Sequence, residues 1–466
     1  MAIRRVVLIE PKTPTLHLFT KWALPRLGLP ILGAILKKSG IEVKIYFEDV
    51  SALDWEDIGS SDLVGISAIA ATANEAYEIL RQVKQRRDTP VVFGGPHTTF
   101  LPGEALAKGA DFVVRHEGEE TLPELIACLN GETDKPISDV KGLSYRVDGR
   151  FQHNPDRPLL KDLSSLPWPD YSLIWDYRQR LLTPMLTSRG CPFNCSFCQV
   201  TALFGRGYRF RDTEDIMAEM DMLYRTDPRR TIFFYDDNFT ANSARTKRLL
   251  RHMIEERLTP RWSAMTRVDV SRDLEMLELM KKSGCGYVYL GLESVNPETL
   301  EKYRKGQTVE DIAHAVRQFH RYGISVHGMF MAGSDNDNDQ TVFDTVRFAR
   351  KVHLDTMHFT IMTPLPGTDF FRDLSAEDRI FDFDWSHYDG LHMVFRPKNM
   401  SPAQVQRGAL VDAMRKFYTP WQFCRAALQF QGQVMVHRIY ARSMVESWWR
   451  QNGPCFKEPE LCDART

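Results

Sequence analysis

The sequence contains no long apolar run, and no stretch approaches the roughly 20 consecutive apolar residues that cross a bilayer. It also contains no run of lysine and arginine, and its 60 basic and 61 acidic residues nearly cancel. The first absence predicts no membrane span. The second argues against nucleic acid as a partner, because phosphate-backbone binding needs a basic stripe. Residues 1–5 lead into a strand-like run rather than a secretory signal, so we expect a cytoplasmic protein.

Cysteine is scarce, and its distribution argues against a disulfide framework. The chain has eight cysteines, at positions 128, 191, 195, 198, 285, 424, 455 and 462. Three of them fall between positions 191 and 198, whereas a framework of bridges spaces its cysteines along the chain. In a reducing compartment such a cluster indicates a metal site more often than a set of disulfides.

The first part of the chain alternates short β-branched runs with helical periodicity, which is typical of βαβ units in a doubly wound parallel sheet. The predicted strands are residues 6–11, 43–49, 63–68, 91–95 and 112–115. This pattern predicts a Rossmann-like domain over residues 1–135. The proline-rich residues 136–184 are predicted to be a linker with a small hairpin near residues 142–151.

A second series of strands and helices follows the linker. Its predicted strands are residues 185–189, 231–237, 261–267, 287–294, 325–333 and 356–364. Six β/α units are too few for the usual closed barrel of eight, so residues 185–368 are predicted to form a partial (β/α)6 barrel with a wide mouth. Residues 369–466 are predicted to be a helical C-terminal region, with a helix start at Ser401-Pro402.

The strongest motif is Cys191-x3-Cys195-x2-Cys198, which comes directly after the first strand of this second series. A loop of this length can place three thiolates around one iron–sulfur cluster. A structural zinc site uses four protein ligands, and no fourth cysteine or histidine lies nearby in sequence. Three thiolates therefore favour a cluster with one iron open to a substrate or cofactor. A zinc site completed by a distant residue and three metal-free thiols are the alternatives.

The spacing of this motif, with Phe197 before its last cysteine, resembles the radical S-adenosylmethionine superfamily over residues 185–368. The resemblance implies a [4Fe–4S] cluster on Cys191, Cys195 and Cys198, whose open iron chelates S-adenosylmethionine. It also implies an external low-potential electron donor, whose electron breaks the sulfonium bond and releases a 5′-deoxyadenosyl radical.

Four residues near the predicted strand ends match segments that the resemblance assigns to S-adenosylmethionine: Phe197, Asp236, Arg267 and Glu293. Arginine can form a two-pronged pair with a carboxylate, although Arg267 could also be a surface charge and Asp236 a loop cap. A glutamate among apolar strand residues needs a partner for its charge, which supports a role for Glu293.

The first domain resembles the cobalamin-binding domain that precedes the barrel in one branch of the superfamily. The residues predicted to contact cobalamin lie near strand ends and are Ser67, Ile69, Ala70, Thr72, Gly94, Gly95, His97, Gly118 and Glu119. The motif Asp-x-His-x-x-Gly is absent from the sequence, which implies a cobalt without a histidine below it and faced there by residues 69–74. A flavin, a dinucleotide or no ligand are the alternatives, and the missing G-x-G-x-x-G disfavours a dinucleotide.

The resemblance implies a C-methyltransferase that moves a methyl group from S-adenosylmethionine through methylcobalamin to an unactivated sp3 carbon. The alternative enzyme is an anaerobic oxidative cyclase or a hydroxylating radical enzyme acting on a tetrapyrrole or lipid. A non-catalytic cobalamin sensor or an electron carrier is a hypothesis of another class. Overall similarity to archaeal enzymes that methylate a glutamine of methyl-coenzyme M reductase ranks a peptide or protein side chain first among substrates, and fold does not choose among them.

Overall fold

The computed structural model describes residues 2–13, 24–177, 182–420 and 432–452. Within these residues the chain forms two large β-sheets, with helices in the connections between their parallel strands. None of the described helices combines the length and the apolar composition that a bilayer crossing requires. The predicted α/β fold class is confirmed. Part of the predicted C-terminal region, including Trp421 and the cysteines at 424, 455 and 462, lies outside the described residues.

The first sheet contains the five predicted parallel strands in the order β2-β1-β3-β4-β5, which is a doubly wound order. These strands are β1 (Arg5–Glu10), β2 (Glu42–Phe47), β3 (Leu63–Ser67), β4 (Val91–Gly94) and β5 (Phe112–Val114). Val6 and Leu8 pack into one apolar cluster, and Val7 and Ile9 pack into another. Successive side chains of a strand point to opposite faces, so helices cover the sheet on both sides.

Six α-helices of the described residues accompany these strands. They are α1 (Gly28–Lys38), α2 (Trp55–Gly59), α3 (Ala73–Arg86), α4 (Pro96–Phe100), α5 (Pro102–Ala107) and α6 (Thr121–Asn130). Helices α4 and α5 both have proline in their first turn, where the missing N–H removes no helical hydrogen bond.

The hairpin predicted near residues 142–151 is present as β6 (Leu143–Val147) and β7 (Arg150–His153). Strand β6 pairs antiparallel with β5, so the hairpin extends the first sheet to seven strands. The turn residues reveal a hairpin from sequence alone, but its partner strand is set by tertiary packing.

The second sheet contains six parallel strands in the order β15-β14-β13-β12-β11-β8. They are β8 (Leu182–Met185), β11 (Thr231–Phe234), β12 (Arg261–Thr266), β13 (Cys285–Glu293), β14 (Ser325–Ala332) and β15 (Thr356–Ile361), and a separate short ribbon holds β9 (Ser188–Arg189) and β10 (Arg209–Phe210). In the described residues β8 and β15 are the two free edges, so the sheet is an open barrel, as predicted.

The predicted bounds of the first barrel strand are wrong. The strand was predicted at 185–189, but β8 ends at Met185, and Ser188 and Arg189 pair antiparallel with Phe210 and Arg209. Pro184 lies inside β8, which pairs with β11 and with no other strand in the described part of the chain. A proline is tolerated on such an edge strand because its missing N–H breaks no ladder on the free side.

The remaining helices surround the open barrel and form the C-terminal region. They are α7 (Val200–Phe204), α8 (Thr213–Thr226), α9 (Ser243–Glu255), α10 (Leu274–Lys282), α11 (Pro297–Lys302), α12 (Val309–Arg321), α13 (Asp339–Lys351), α14 (Asp369–Ala376), α15 (Pro402–Arg407), α16 (Met414–Phe417) and α17 (Gly432–Asn452). The predicted helix start at Ser401 is confirmed by a capping box with Gln404.

Candidate functional site

The cysteine loop is anchored at several points to the loops at the carboxyl end of the barrel. Gly190, which precedes the first cysteine, has φ +87°, and a Cβ added there would lie 2.6 Å from the Gly207 carbonyl oxygen. The Ser196 N–H donates to the Tyr303 carbonyl oxygen at 3.3 Å. The side chain of Gln199 donates to the Pro366 carbonyl oxygen at 2.7 Å. The loop therefore has one imposed shape, which only glycine at position 190 permits.

The three cysteines of this loop are free thiols and only half-buried. Burial raises the pKa of Cys198 to about 12, and it raises the pKa of Cys191 in the same direction. The negative charge of Asp237 adds to both shifts. Partly buried thiols beside a carboxylate suit a group that brings positive charge, because metal binding deprotonates a coordinating thiol.

A single-ion zinc site receives no support from the described part of the chain. No three histidine, cysteine, aspartate or glutamate side chains there converge as the ligands of one metal ion. In an iron–sulfur cluster each thiolate binds a different iron, so the three sulfurs need not converge on one point. The cysteine loop therefore suits a cluster.

Two adjacent aspartates at the end of β11 face opposite ways. Asp236 is fully buried and accepts hydrogen bonds from the Thr187 N–H at 3.1 Å and from the hydroxyls of Thr187 and Ser188. It thus supports the segment that leads into the cysteine loop. Asp237 keeps open surface, and burial together with the Asp236 charge raises its pKa to about 7. Asp236 was predicted and Asp237 was not, although side-chain alternation allows only one of them to face the barrel interior.

Arg267, at the end of β12, is buried rather than on the surface. Its guanidinium lies 3.8 Å from the ring centroid of Phe193 in the cysteine loop, and it donates to the Lys305 carbonyl oxygen. Its Nε atom is buried without a hydrogen-bond partner among the described residues, and Asp269 lies 3.6 Å from it. A buried cation with an unused donor beside the cysteine loop fits a ligand that carries a carboxylate.

Glu293, at the end of β13, is also buried, and the partner that its charge requires is Lys305. The Lys305 ammonium lies 2.7 Å from the Glu293 carboxylate. Glu293 has φ +62°, and the register between β13 and β14 shifts between Gly291 and Glu293. Such a bulge redirects a side chain at a strand end. Lys305 was not predicted, because it follows α11 and no strand pattern marks it.

Two further side chains complete this edge of the barrel. Phe197, the aromatic residue before the last cysteine, packs edge-on against Tyr303 with ring centroids 5.3 Å apart. Gln307 donates to the Gly291 and Leu292 carbonyl oxygens at 3.2 and 2.9 Å. The buried Oε1 atom of Gln307 has no hydrogen-bond partner in the described part of the chain. Phe197 was predicted and Gln307 was not.

The residues predicted to contact cobalamin divide into two groups. Those that keep accessible surface near the carboxyl ends of β3, β4 and β5 are Ser67, Ile69, Gly94, Gly95 and Gly118. Those that are buried against protein are Ala70, Thr72, His97 and Glu119. The structure therefore brings the predicted segments together at one edge of the sheet, but four of the side chains are buried in contacts within the protein.

Contacts within the protein explain the residue type at two of these positions, His97 and Gly95. The His97 ring is fully buried, lies 3.2 Å from the Tyr77 hydroxyl and packs edge-on against Trp385. Gly95 has φ +93°, and an added Cβ would lie 2.6 Å from the Ala68 carbonyl oxygen. Both positions are explained by close packing of the loops after β3 and β4.

The loop at residues 69–74 is backed by the C-terminal region. The Thr72 hydroxyl accepts a hydrogen bond from the Ile69 N–H at 3.2 Å and fixes the turn. Ala70 packs in a small apolar cluster with Tyr388 and Val394. The side chain of Asn74 donates to the Asp384 carboxylate.

The strand-end loops of the two sheets meet. The ring Nδ1 of His116, after β5, lies 3.1 Å from the Leu203 carbonyl oxygen, and the side chain of Arg189 forms ion pairs with Glu117 and Glu119. Burial raises the pKa of Tyr235, which follows β11, and the charges of Arg26 and Glu10 beside the first sheet also act on it. The loops at the carboxyl ends of both sheets therefore lie against each other.

Comparison with known proteins agrees with this geometry. The model of the radical SAM superfamily matches residues 185–349, and the model of the B12 binding domain matches residues 22–126. An uncharacterised methyltransferase of Pyrococcus horikoshii is 31% identical over 432 residues, which are 90% of this chain and 93% of the relative. Bacteriochlorophyllide d C-12(1)-methyltransferase of Chlorobaculum tepidum is 27% identical over 85% of this chain and 84% of its own.

A third relative has a different activity. The anaerobic magnesium-protoporphyrin IX monomethyl ester cyclase of Rubrivivax gelatinosus is 29% identical over 79% of this chain and 67% of its own. Among solved structures, the methyltransferase TsrM of Kitasatospora setae, with cobalamin and a [4Fe–4S] cluster bound, has a TM-score of 0.71 at 20% identity and covers 96% of this chain and 100% of its own. The cobalamin-dependent enzyme OxsB has a TM-score of 0.70 at 15% identity, over 97% of this chain and 76% of its own.

The structural likenesses confirm the fold, and the family matches decide between an enzyme and the non-catalytic alternatives. The two matched domains fall on the two sheets whose strand-end loops meet. The chain belongs to the cobalamin-dependent radical S-adenosylmethionine methyltransferase family, and it is an enzyme whose cofactors are a [4Fe–4S] cluster, S-adenosylmethionine and cobalamin.

Proposed function

We propose that this enzyme is a C-methyltransferase that moves a methyl group from S-adenosylmethionine, by way of cobalamin, to an unactivated sp3 carbon. One observation carries the proposal: the segment that leads into the cysteine loop lies against the strand-end loop of the B12-binding sheet, through the ion pairs of Arg189 with Glu117 and Glu119. When bound there, the cluster with S-adenosylmethionine supplies a radical that removes hydrogen, and cobalamin supplies the methyl group. The protein supplies orientation and water exclusion.

The cysteines and the charged residues around them each have a proposed role. Cys191, Cys195 and Cys198 hold the cluster. The unused donor of Arg267 supports a pair with the carboxylate of S-adenosylmethionine. The open surface of Asp237 supports a contact with the amino group of the same ligand.

The other three predicted residues have different proposed roles: Asp236, Glu293 and Phe197. Asp236 holds the segment before the cysteine loop through Thr187. Glu293 stands at the barrel mouth, with Lys305 balancing its charge. Phe197 wedges the loop against Tyr303.

On the cobalamin side, the side chains and glycines with open surface are the proposed contacts. They are Ser67, Ile69, Gly94, Gly95 and Gly118. The buried residues Ala70, Thr72 and His97 shape the loops that carry these contacts. Glu119 is not among these contacts, because its carboxylate pairs with Arg189.

The inner face of the barrel supports an apolar substrate. Alternate residues of β11 to β14 face inward and keep partial exposure, while their neighbours pack into the outer core. The inward-facing apolar side chains are Phe233, Tyr235, Met265, Tyr289, Met329 and Met331. Aromatic and methionine side chains suit a broad apolar surface. Relatives named for bacteriochlorophyllide and magnesium-protoporphyrin support a tetrapyrrole as the substrate class, ahead of the peptide that the sequence analysis ranked first.

The reaction is tested with methyl-labelled S-adenosylmethionine. The purified enzyme, loaded with its cofactors and reduced anaerobically, is incubated with an extract of cells from which its gene has been deleted. Pigment, lipid and protein fractions are then separated and analysed by mass spectrometry. We expect one labelled methyl group per product molecule in the pigment fraction. Label in the lipid or protein fraction would support methylation as the reaction but contradict a tetrapyrrole as the substrate.

Oxidative cyclisation is the second candidate function, because the cyclase relative covers most of this chain at 29% identity. The same experiment separates the two reactions. A cyclase gives a product that lacks the label and has lost hydrogen. A methyltransferase gives a product heavier by one labelled methyl group in place of one hydrogen.

A further inference from the structure

A buried network of ion pairs joins the cysteine loop to the B12-binding sheet. Arg189, two residues before Cys191, donates from Nη1 to the Glu117 carboxylate at 2.8 Å and from Nη2 to the Glu119 carboxylate at 2.5 Å. Arg189, Glu117 and Glu119 are 6%, 6% and 8% exposed. One guanidinium thus bridges two carboxylates that belong to the other sheet.

A second arginine completes the network. Arg209 lies directly opposite Arg189 in the short antiparallel ribbon of β9 and β10. Its Nη1 atom lies 2.8 Å from the Glu117 carboxylate and 2.6 Å from the Leu160 carbonyl oxygen. The two arginines hold the pKa of Glu117 below its usual range against the effect of burial. Two cations and two anions therefore balance each other with little exposure to water.

Stability alone does not account for such a network. Removing four charges from water offsets most of their mutual attraction, so a buried ion cluster adds little to stability compared with apolar packing. Its hydrogen bonds, however, have strict directions, because a guanidinium presents its donors in a rigid planar fork. The network is therefore suited to fix one element against another.

The elements that it fixes are the two that carry the cofactors. Glu117 and Glu119 flank Gly118 in the loop after β5, on the cobalamin side. The ribbon of Arg189 and Arg209 leads directly into the cysteine loop. We propose that Arg189 and Arg209 are positioning residues that set the distance and orientation between the cluster and cobalamin. This inference rests on the proposed function, and it assigns Glu119 to the protein rather than to cobalamin.

The first test measures that distance. The enzyme is loaded with both cofactors, and the relaxation that the reduced cluster induces in the EPR signal of Co(II) cobalamin reports their separation. We expect one narrow separation in the wild type and a broadened or lengthened one in Arg189→Lys and Arg189→Gln, with the contents of iron and cobalamin unchanged. Turnover should fall on the order of 100-fold, since a displacement of about 1 Å has that effect.

The matched control is Arg211→Lys. Arg211 is as buried as Arg189 and also bridges two carboxylates, Asp215 and Glu219, but these lie on α8 beside the same barrel. The control should keep the wild-type separation. A wild-type separation in Arg189→Gln would overturn the proposal, and so would an equal change in Arg211→Lys, because the effect would then belong to any buried arginine.

A second measurement needs no cofactor. Hydrogen exchange of the apoprotein should show that Arg189→Gln lowers amide protection by at least tenfold in residues 186–190 and 115–122 together, although these segments belong to different sheets. Arg211→Lys should leave residues 115–122 unchanged. Unchanged protection there in Arg189→Gln would overturn the proposal. A wild type that bound neither cluster nor cobalamin would defeat the proposed function instead, and hydrogen exchange would still decide whether Arg189 couples the sheets.

Discussion

Gly190 has the backbone conformation on which the shape of the cysteine loop depends. Its φ of +87° is in the left-handed region, and a Cβ there would meet the Gly207 carbonyl oxygen at 2.6 Å. A side chain in this region costs about 1–2 kcal/mol before the clash is added. Gly190→Ala should therefore bind the cluster at least about tenfold more weakly, measured as iron and sulfide per chain after anaerobic reconstitution.

The matched control for this change is Gly207→Ala, the other side of the same contact. A Cβ at Gly207 meets no described atom within 4 Å, so this variant should reconstitute like the wild type. Equal iron contents in the two variants would contradict the account of the loop.

Glu10 makes stability depend on pH. It is 3% exposed at the end of β1, and burial raises its pKa from 4.5 to about 7. The folded protein therefore keeps this proton between pH 4.5 and 7 while the unfolded chain has lost it, so stability falls as pH rises through that window. Glu10→Gln removes this loss and should gain roughly 1–3 kcal/mol over the wild type between pH 5 and pH 8. The check is the difference in thermal midpoint between the two proteins, and a difference that stays constant with pH would contradict it.

For single residues, the sequence indicated which residue types form the candidate site more readily than which way their side chains face. The three cysteines are predictable because a spacing within one loop needs no tertiary information. The choice between Asp236 and Asp237 depends on which one the segment after Met185 covers, and Thr187 supplies that contact from a distant part of the chain. Lys305 was missed for the same reason, since its partner Glu293 is on another element.

Among the secondary-structure elements, β13 is notable because its end contains a bulge. The bulge between Gly291 and Glu293 turns a carboxylate into a buried position against Lys305. Lys305→Met leaves that carboxylate without its cation and should lower the free energy of unfolding by about 3–5 kcal/mol. The double change Lys305→Met with Glu293→Gln should recover most of the loss, because no buried charge then remains unpaired.

An exposed lysine provides the control for this prediction. Lys302 pairs with Asp335, but its side chain is 45% exposed, so Lys302→Met should cost at most about 1 kcal/mol. Thermal unfolding of the apoproteins compares the three variants. Equal thermal midpoints for Lys305→Met and Lys302→Met would show that the buried pair contributes no more to stability than the exposed pair does.

Most strands were predictable because buried parallel strands are short, apolar and bounded by turn residues. The exceptions have physical causes. Strand β8 was placed too late because Pro184 indicated a linker, yet the free edge of the sheet tolerates it. The hairpin of β6 and β7 was predicted, but its pairing with β5 is a long-range contact that local sequence does not encode.

For the whole molecule, the arrangement of the two sheets carries the function. Their carboxyl ends meet through ion pairs of Arg189 and Arg209 on one side, and the C-terminal region backs the loop of residues 69–74 through Asn74 and Asp384. Sequence predicted both sheets and the family resemblance predicted their cofactors. Neither of these predicted the contacts between the two sheets, because no motif marks residues that meet only when two domains pack.

The role proposed for the cysteine loop is that its three thiolates hold a cluster with one iron open to S-adenosylmethionine. The most direct measurement is the EPR spectrum of the reconstituted, reduced enzyme before and after S-adenosylmethionine is added. We predict a cluster signal that shifts on addition, the same shift in Cys285→Ala, whose cysteine is buried outside the loop, and no cluster signal in Cys195→Ala. A signal that S-adenosylmethionine leaves unchanged, or a full cluster in Cys195→Ala, would contradict the account.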